Sequence, residues 1–422
     1  MTIESNLINT FCDPDLRLPD DARAMMSLSL FDWAVCGRAG AEDPVAQITR
    51  ATLLAEGGAP QAMVFGGGAA PARAAALING AASHALDYDD THFAHIGHPS
   101  VAVCPAALAV GQAVGASGTQ MLDAALIGVE ASVRVGVWLG RGHYQVGFHQ
   151  TATAGCFGAT MAAARLLGCD AVQTGHALGL AATRASGLKV QFGTMGKPYN
   201  AGIAAANGVE CAQLARAGMT SRADALSDAF GFGATHHGAG DTVGDGWLFP
   251  GVSHKFHACC HGLHAMLEAL DELRNGVIPA DVVRVEIATH PRWLSVCNQP
   301  APQTGLAAKF SYRLTAAMCL AGRSTAALDT FSDAACADPV LVALRDKVQV
   351  TGDAGLAETA TRVRVVLGDG TVREAGHDLM APMDVATRAA KLQAKAAVLL
   401  GAALAERLWQ DVQGGDLSQA IG

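Results

Sequence analysis

The chain reads as mainly α: a large all-helical domain with a smaller α+β domain inserted before its last helices. Three observations carry that reading. Aromatic residues make up only 5% of the 422 residues while Ala and Gly abound, which suits closely packed helices better than a β-sandwich. Through residues 98–255, apolar runs stop at a Gly and resume within a few residues at a Ser, Thr or Asp, the punctuation of helical hairpins. Beyond residue 265 the runs shorten and alternate between apolar and polar. The expected division is a discontinuous helical domain, 1–265 with 381–422, and an α+β domain over 266–380.

The elements follow in order. Residues 20–38 open with Asp20 and Asp21, where a helix dipole favours acids, and continue with apolar residues at helical spacing. The Gly-rich segment 64–71 lacks the features of a P-loop or a dinucleotide fingerprint and reads as a surface loop. Helices are expected at 101–114, stopping at Gly115; at 119–140, with Thr119 as cap; and at 151–167, stopping at Gly168. A fourth starts at the cap Asp170, and a fifth spans 198–217 and stops at Gly218, with Thr220 or Ser221 capping another. Residues 281–290 alternate as a half-buried strand does, and 361–374 form a hairpin turning at Asp369-Gly370. Helical stretches are expected near 307–320 and 339–348, and one long helix over 385–409.

Composition narrows the function. Half of the residues are hydrophobic and 16% charged, enough for a large core. A formal net charge of −9 argues against nucleic acid or an anionic membrane as partner, and requires a locally positive pocket for any acidic substrate. The charge-free stretch 98–122 is interrupted by Pro105, Gly111, Gln112, Gly115 and Gly118, unlike a membrane span. Eleven cysteines, an odd count with no Cys-x-x-Cys pair, point to thiols in a reducing cytoplasm, and the acidic start lacks the basic region of a signal peptide.

The chemistry concentrates in residues 81–100, where His84, Asp87, Asp89, Asp90, Thr91, His92, His95 and His98 crowd an otherwise bland chain. Carboxylates and imidazoles move protons near neutral pH and also bind metals, so both uses are open here. His149 stands at the start of a Gly/Ala-rich helix, where the dipole keeps an imidazole neutral. Arg184, Lys189 and Lys197 stand in an acid-free segment, and Lys197 just precedes Pro198 at a helix start, a sound place to hold a carboxylate. His254, His257, His261 and His264 surround Cys259-Cys260 without a recognised zinc spacing.

Taken in order, the segments INGAASHALDYDDTH, HPS, GFHQTATAGCFGA, GTMGKPYNAGIAAANGVECAQLA and HKFHACC resemble the MmgE/PrpD family, from about Asp20 to the C-terminus. That family includes 2-methylcitrate dehydratase, cis-aconitate decarboxylase and iminodisuccinate epimerase. The resemblance implies a helical domain with an α+β lid, an active site in the cleft between them, a homodimer, and neither cofactor nor metal. Carried over by position, it implies Asp87, His98, His149 and Lys197 as catalytic groups and Thr91, Lys197 and His261 as substrate-binding groups. It further implies a small di- or tricarboxylic acid as substrate and proton transfer beside a carboxylate, most of all in the manner of 2-methylcitrate dehydratase. Epimerisation of an iminodisuccinate-like acid and decarboxylation of cis-aconitate are the alternatives within the family.

The chain also departs from the family. Asn200 replaces a His that often stands three residues after the motif Lys. The segment 290–296 offers Trp293 where the decarboxylases have a Tyr, and their His is replaced by Cys260 or shifted to His261. Outside the family, two other readings remain: a metal-dependent hydrolase with Asp87, Asp89, His92, His95 and His98 as ligands, and a helical binding scaffold.

Overall fold

The structure, a computed structural model, describes all residues except 14–15, 239, 241–243, 245, 418–419 and 422. It is mainly α and divides into two compact units, Met1–His254 with Leu400–Gly422, and Lys255–Leu399.

The first unit opens with α1 (Ile3–Phe11), α2 (Asp20–Gly40) and α3 (Pro44–Ala55), then a two-stranded hairpin of β1 (Ala62–Met63) and β2 (Ala69–Ala70). There follow α4 (Ala72–His84), α5 (Ser100–Val114), α6 (Gly118–Gln145), α7 (Gln150–Leu166), α8 (Ala171–Ala182), α9 (Gly196–Arg216) and the single turn α10 (Phe232–Thr235). Buried α5 and α7 lie at the centre, with α7 against α6 and α9, and α9 also against α4. The closeness of these crossings explains the Ala/Gly-rich composition. A Cβ on Gly80 of α4 would lie 2.8 Å from Gly202 Cα of α9, and one on Gly128 of α6 would lie 2.6 Å from the Gly158 carbonyl of α7. Any larger residue would force those backbones apart.

In the second unit α11 (His264–Leu273) precedes β3 (Val282–Thr289), α12 (Gly305–Ala308), α13 (Tyr312–Leu320), α14 (Asp333–Ala337) and α15 (Pro339–Arg345). β4 (Val348–Gly352), β5 (Ala360–Leu367), β6 (Val372–Asp378) and α16 (Val385–Leu400) complete it. The sheet order is β4-β3-β5-β6, with β3 parallel to β4 and antiparallel to β5. Val285 and Ile287 of β3 and Val363 and Val365 of β5 are buried, the alternation expected of a half-covered sheet, and α11 packs against β5 and β6. After Gly401, which has a positive φ, α17 (Ala402–Gly414) returns to the first unit and sets Trp409 edge-on against Phe31 of α2.

Several expectations are corrected in detail. The segment 64–71 is no plain surface loop: it includes β2, and Val64 and Phe65 are buried. Ser117, not Thr119, caps α6, through a reciprocal capping box with Gln120. No helix starts at Thr220 or Ser221; the Ser221 hydroxyl donates to the His176 carbonyl and ties that segment to α8. The helix expected over 385–409 breaks at Gly401, and the stretch after α15 holds β4, too short for its pattern to register. Among the described residues, no helix is long and apolar enough to cross a membrane.

Candidate active site

The site is built by four helix ends in the first unit. His84 is the last residue of α4 and His98 stands two residues before α5. His149 is the N-cap of α7, and Lys197 lies in the first turn of α9. Between His84 and Ser100 the chain makes a tight excursion in which Asp87 and Ile96 adopt positive φ. Asp tolerates that conformation better than most residues. The His98 N–H donates to the Thr151 hydroxyl of α7 at 3.0 Å, and residues 147–149 run beside 187–189, with the His149 N–H donating to the Gly187 carbonyl.

These contacts bring together four of the six residues expected from the sequence. Lys197 Nζ lies 2.7 Å from Asp87 Oδ1, and the same oxygen lies 3.5 Å from His98 Nε2. His98 Nδ1 lies 2.7 Å from Asp89 Oδ2, while the other oxygen of Asp89 lies 2.9 Å from His84 Nδ1. A continuous chain therefore runs Lys197–Asp87–His98–Asp89–His84, half-exposed at Asp87 and wholly buried at Asp89 and His84. His149 flanks it, with its ring 6.0 Å from that of His84 and nearly parallel to it. Phe192 closes one side, edge-on to His149 with ring centroids 4.9 Å apart and beneath the Lys197 ammonium at 5.4 Å.

Burial and charge set the protonation states. Burial alone would raise the carboxyl of Asp89, but the charges and hydrogen bonds of His84 and His98 outweigh it and hold Asp89 well below the usual carboxylate range. His149 is pushed well below an ordinary histidine by burial first, then by His84, Lys197 and His98, with only Asp87 opposing. It is neutral. Its Nδ1 lies 3.2 Å from the side-chain amide nitrogen of Asn200, which also donates to the Leu188 carbonyl at 3.4 Å. A nitrogen that serves a carbonyl is a donor, so Nδ1 of His149 accepts and the ring carries its proton on Nε2.

Other polar groups of the cluster make structural contacts. Asp90 accepts from the hydroxyl of Ser100 at 2.5 Å and from its N–H at 3.3 Å, anchoring the start of α5. His92 receives the His95 N–H on Nδ1 at 3.3 Å and donates from Nε2 to the Leu248 carbonyl at 2.9 Å. His95 Nε2 meets the Ser132 hydroxyl at 3.3 Å, and burial drives that imidazole down to about 3. The backbone of Thr91 is bridged to Ser253, with Thr91 N–H donating to the Ser253 carbonyl at 2.9 Å. Of the basic segment only Lys197 reaches the chain. Arg184 is tied to Glu210 and Asn207, and Lys189 donates to the Tyr144 carbonyl. His261 belongs to the second unit, where it is buried with its ring 4.7 Å from that of His264.

One ligand atom from each of His84, Asp87, Asp89 and His98 lies within 4.8 Å of the others, so a metal donor set exists in outline. It differs from the set read off the sequence, because His92 and His95 turn to Leu248 and Ser132. Two features oppose metal there: the Lys197 ammonium already sits on Asp87, and each oxygen of Asp89 already meets an imidazole nitrogen.

The residues that sequence reasoning left out of the site are His84, Asp89, Phe192 and Asn200. His84 and Asp89 stood in the crowded stretch, with nothing local to separate them from Asp90 or His92. Asn200 registered only as a departure from a motif. Phe192 gave no signal.

Sequence comparison adds a family to this geometry. Residues 16–242 match the MmgE/PrpD N-terminal domain and residues 257–413 the MmgE/PrpD C-terminal domain. The chain belongs to the MmgE/PrpD family. Among its relatives are the cis-aconitate decarboxylase-like protein oryM of Aspergillus oryzae, 30% identical over 48% of this chain and 46% of that protein, and two proteins named cis-aconitate decarboxylase. The Homo sapiens protein is 28% identical over 60% of this chain and 56% of its own length. The Aspergillus terreus protein is 28% identical over 61% and 57%. The chain spans about half the length of the curated relatives it matches.

Proposed function

We propose that the protein is a cofactor-independent lyase or isomerase that moves a proton beside a carboxylate of a small di- or tricarboxylic acid, with dehydration in the manner of 2-methylcitrate dehydratase as the leading reaction. The observation that carries this is the Lys197–Asp87–His98–Asp89 chain beside a neutral His149. Removing a proton next to a carboxylate builds charge on the carboxylate oxygens, and a cation with an oriented N–H donor absorbs it best in a buried site. Lys197 and Thr91 hold the substrate carboxylate. His98, fixed through Nδ1 on buried Asp89, presents Nε2 as the base, in the way that a buried carboxylate orients the imidazole of a catalytic triad. Asp87 tunes that nitrogen. His149, whose Nδ1 is engaged by Asn200, offers its Nε2–H to the developing oxyanion or the leaving hydroxyl. A substrate-binding role for His261, a homodimeric assembly and a cytoplasmic location belong to the same reading.

Decarboxylation of a cis-aconitate-like acid is the second reading, favoured by the names of the relatives. The same charge stabilisation serves loss of CO2 as serves loss of a proton. Epimerisation of an iminodisuccinate-like acid would need that proton returned to the opposite face. Proton NMR in D2O with citrate-like, aconitate-like and succinate-like acids tests all three. Dehydration removes the citrate-like signals in favour of an alkene, decarboxylation consumes aconitate, and epimerisation exchanges the proton beside a carboxylate. Conversion that is lost on EDTA treatment and restored by zinc would overturn the reading in favour of the metal-dependent hydrolase.

A further inference from the structure

We propose that His84 is a positioning residue for His98: the two imidazoles share the single buried carboxylate of Asp89, and His84 satisfies one oxygen so that the proton in transit stays on His98. The inference deepens the reading above by adding a residue that acts through Asp89.

Ionised Asp89 can only accept hydrogen bonds, so the imidazole nitrogens at 2.9 Å and 2.7 Å from its two oxygens must both carry hydrogen. His84 is thereby held by a hydrogen bond from Nδ1, and His98 by the close ion-pair contact of its Nδ1, which leaves Nε2 of each ring to change. The two Nε2 atoms have different surroundings. That of His98 faces the carboxylate of Asp87 at 3.5 Å, ready to receive an N–H. That of His84 is fully buried and has no hydrogen-bond partner among the described residues. An orphaned N–H in a buried site is rarer than an orphaned acceptor, so a second proton belongs on His98 rather than His84.

Several charged and titratable groups stand around His84. Asp89 and His98 come from the following turn, with the His98 ring 4.6 Å from that of His84. The ring of His149, the N-cap of α7, lies 6.0 Å away, and beyond His98 stand Asp87 and Lys197 of α9. With His98 protonated, a proton on His84 would set a second charged imidazole against one buried carboxylate. His84 therefore supplies a hydrogen bond to one oxygen of Asp89. Without it, Asp89 would draw more strongly on His98 and make that ring a poorer donor of its proton.

The test uses the full chain with 15N-labelled histidine, assigned by His84→Asn and His98→Asn. Asn places an N–H where Nδ1 of histidine stands, whereas Ala removes it. In the wild type, both Nδ1 atoms should stay protonated across the titration while Nε2 of His98 titrates. In His84→Ala the titration of His98 should move to higher pH by about half a unit or more, and His84→Asn should restore it. With a turned-over substrate, His84→Ala should lower kcat by about tenfold to hundredfold with little change in KM, and His84→Asn should recover most of it. An unmoved His98 titration in folded His84→Ala overturns the proposal whatever the substrate proves to be. If His84→Ala does not fold, a wild-type His84 protonated on Nε2 instead of Nδ1 overturns it equally. A shifted titration with no turnover of any acid sustains the positioning role and sinks only the proposed reaction.

Discussion

Residues 84–98 and 254–264 each hold four histidines, and by composition either could have been the site. In the first stretch, His84 and His98 meet on one carboxylate, and through Asp87 the chain continues to a lysine from another helix. In the second, three of the rings have separate partners. His254 meets Ser29, His257 meets Thr325 with Glu268 at 3.4 Å, and His264 meets the Cys259 carbonyl. Burial drives His264 well below an ordinary imidazole, with nearby His261, His257 and Lys255 adding to the effect. Lys391 also meets Glu268, but that carboxylate is buried, whereas Asp87 is half-exposed, so it is the opening of the charged chain to solvent that marks the site.

The largest effect that could break this contrast is loss of the cation or the base. Lys197→Ala and His98→Ala should each lower turnover by about a thousandfold, within the range of general acid–base contributions, with the circular dichroism unchanged. His264→Gln should stay within about threefold. Equal losses in all three, with the fold intact, would show that the two histidine stretches do not differ in kind.

Asn200 offers a sharper test. In Asn200→Asp an anionic acceptor would face His149 Nδ1, draw the ring proton away from Nε2 and raise the affinity of the ring for a second proton. Turnover should fall by about tenfold to hundredfold, and the acid side of the kcat/KM profile should move to higher pH. A profile identical to wild type would remove His149 Nε2–H from the mechanism.

The smallest effect is on stability, where Asp90 and His95 should pull in opposite directions. Burial pushes Asp90 up to about 7, with Asp32 and Asp89 adding to the rise and Ser100 opposing. Between about pH 4 and 7 the folded chain then holds a proton that the unfolded chain has lost, so this contribution is full at low pH and fades as pH rises through 7. Burial holds His95 down to about 3, so the unfolded chain takes the proton first and stability is lost as pH falls below about 6.5. Melting temperatures from pH 5 to 8 check both. Asp90→Asn should compare best with wild type at pH 8, and His95→Gln at pH 5. Parallel curves for either variant would remove that group from the pH dependence.

Much of this was legible in the sequence. Helix punctuation by Gly115, Gly168 and Gly218 is a local matter of backbone freedom, and each lies just past a helix with positive φ. The hairpin at Asp369-Gly370 is equally local, with the Asp369 carboxylate accepting from the Thr371 N–H. Small helix-facing residues determined the close crossings, because Gly80 and Gly202 leave no room for a wider separation to be favourable. The sequence by itself therefore determined the helical character, the change to α+β and the residue types available for proton transfer. Which aspartate of Asp87, Asp89 and Asp90 does what was decided only by tertiary structure. Their neighbours in sequence are nearly the same, but their partners come from the ends of four different helices, and a carboxylate is defined by what it faces.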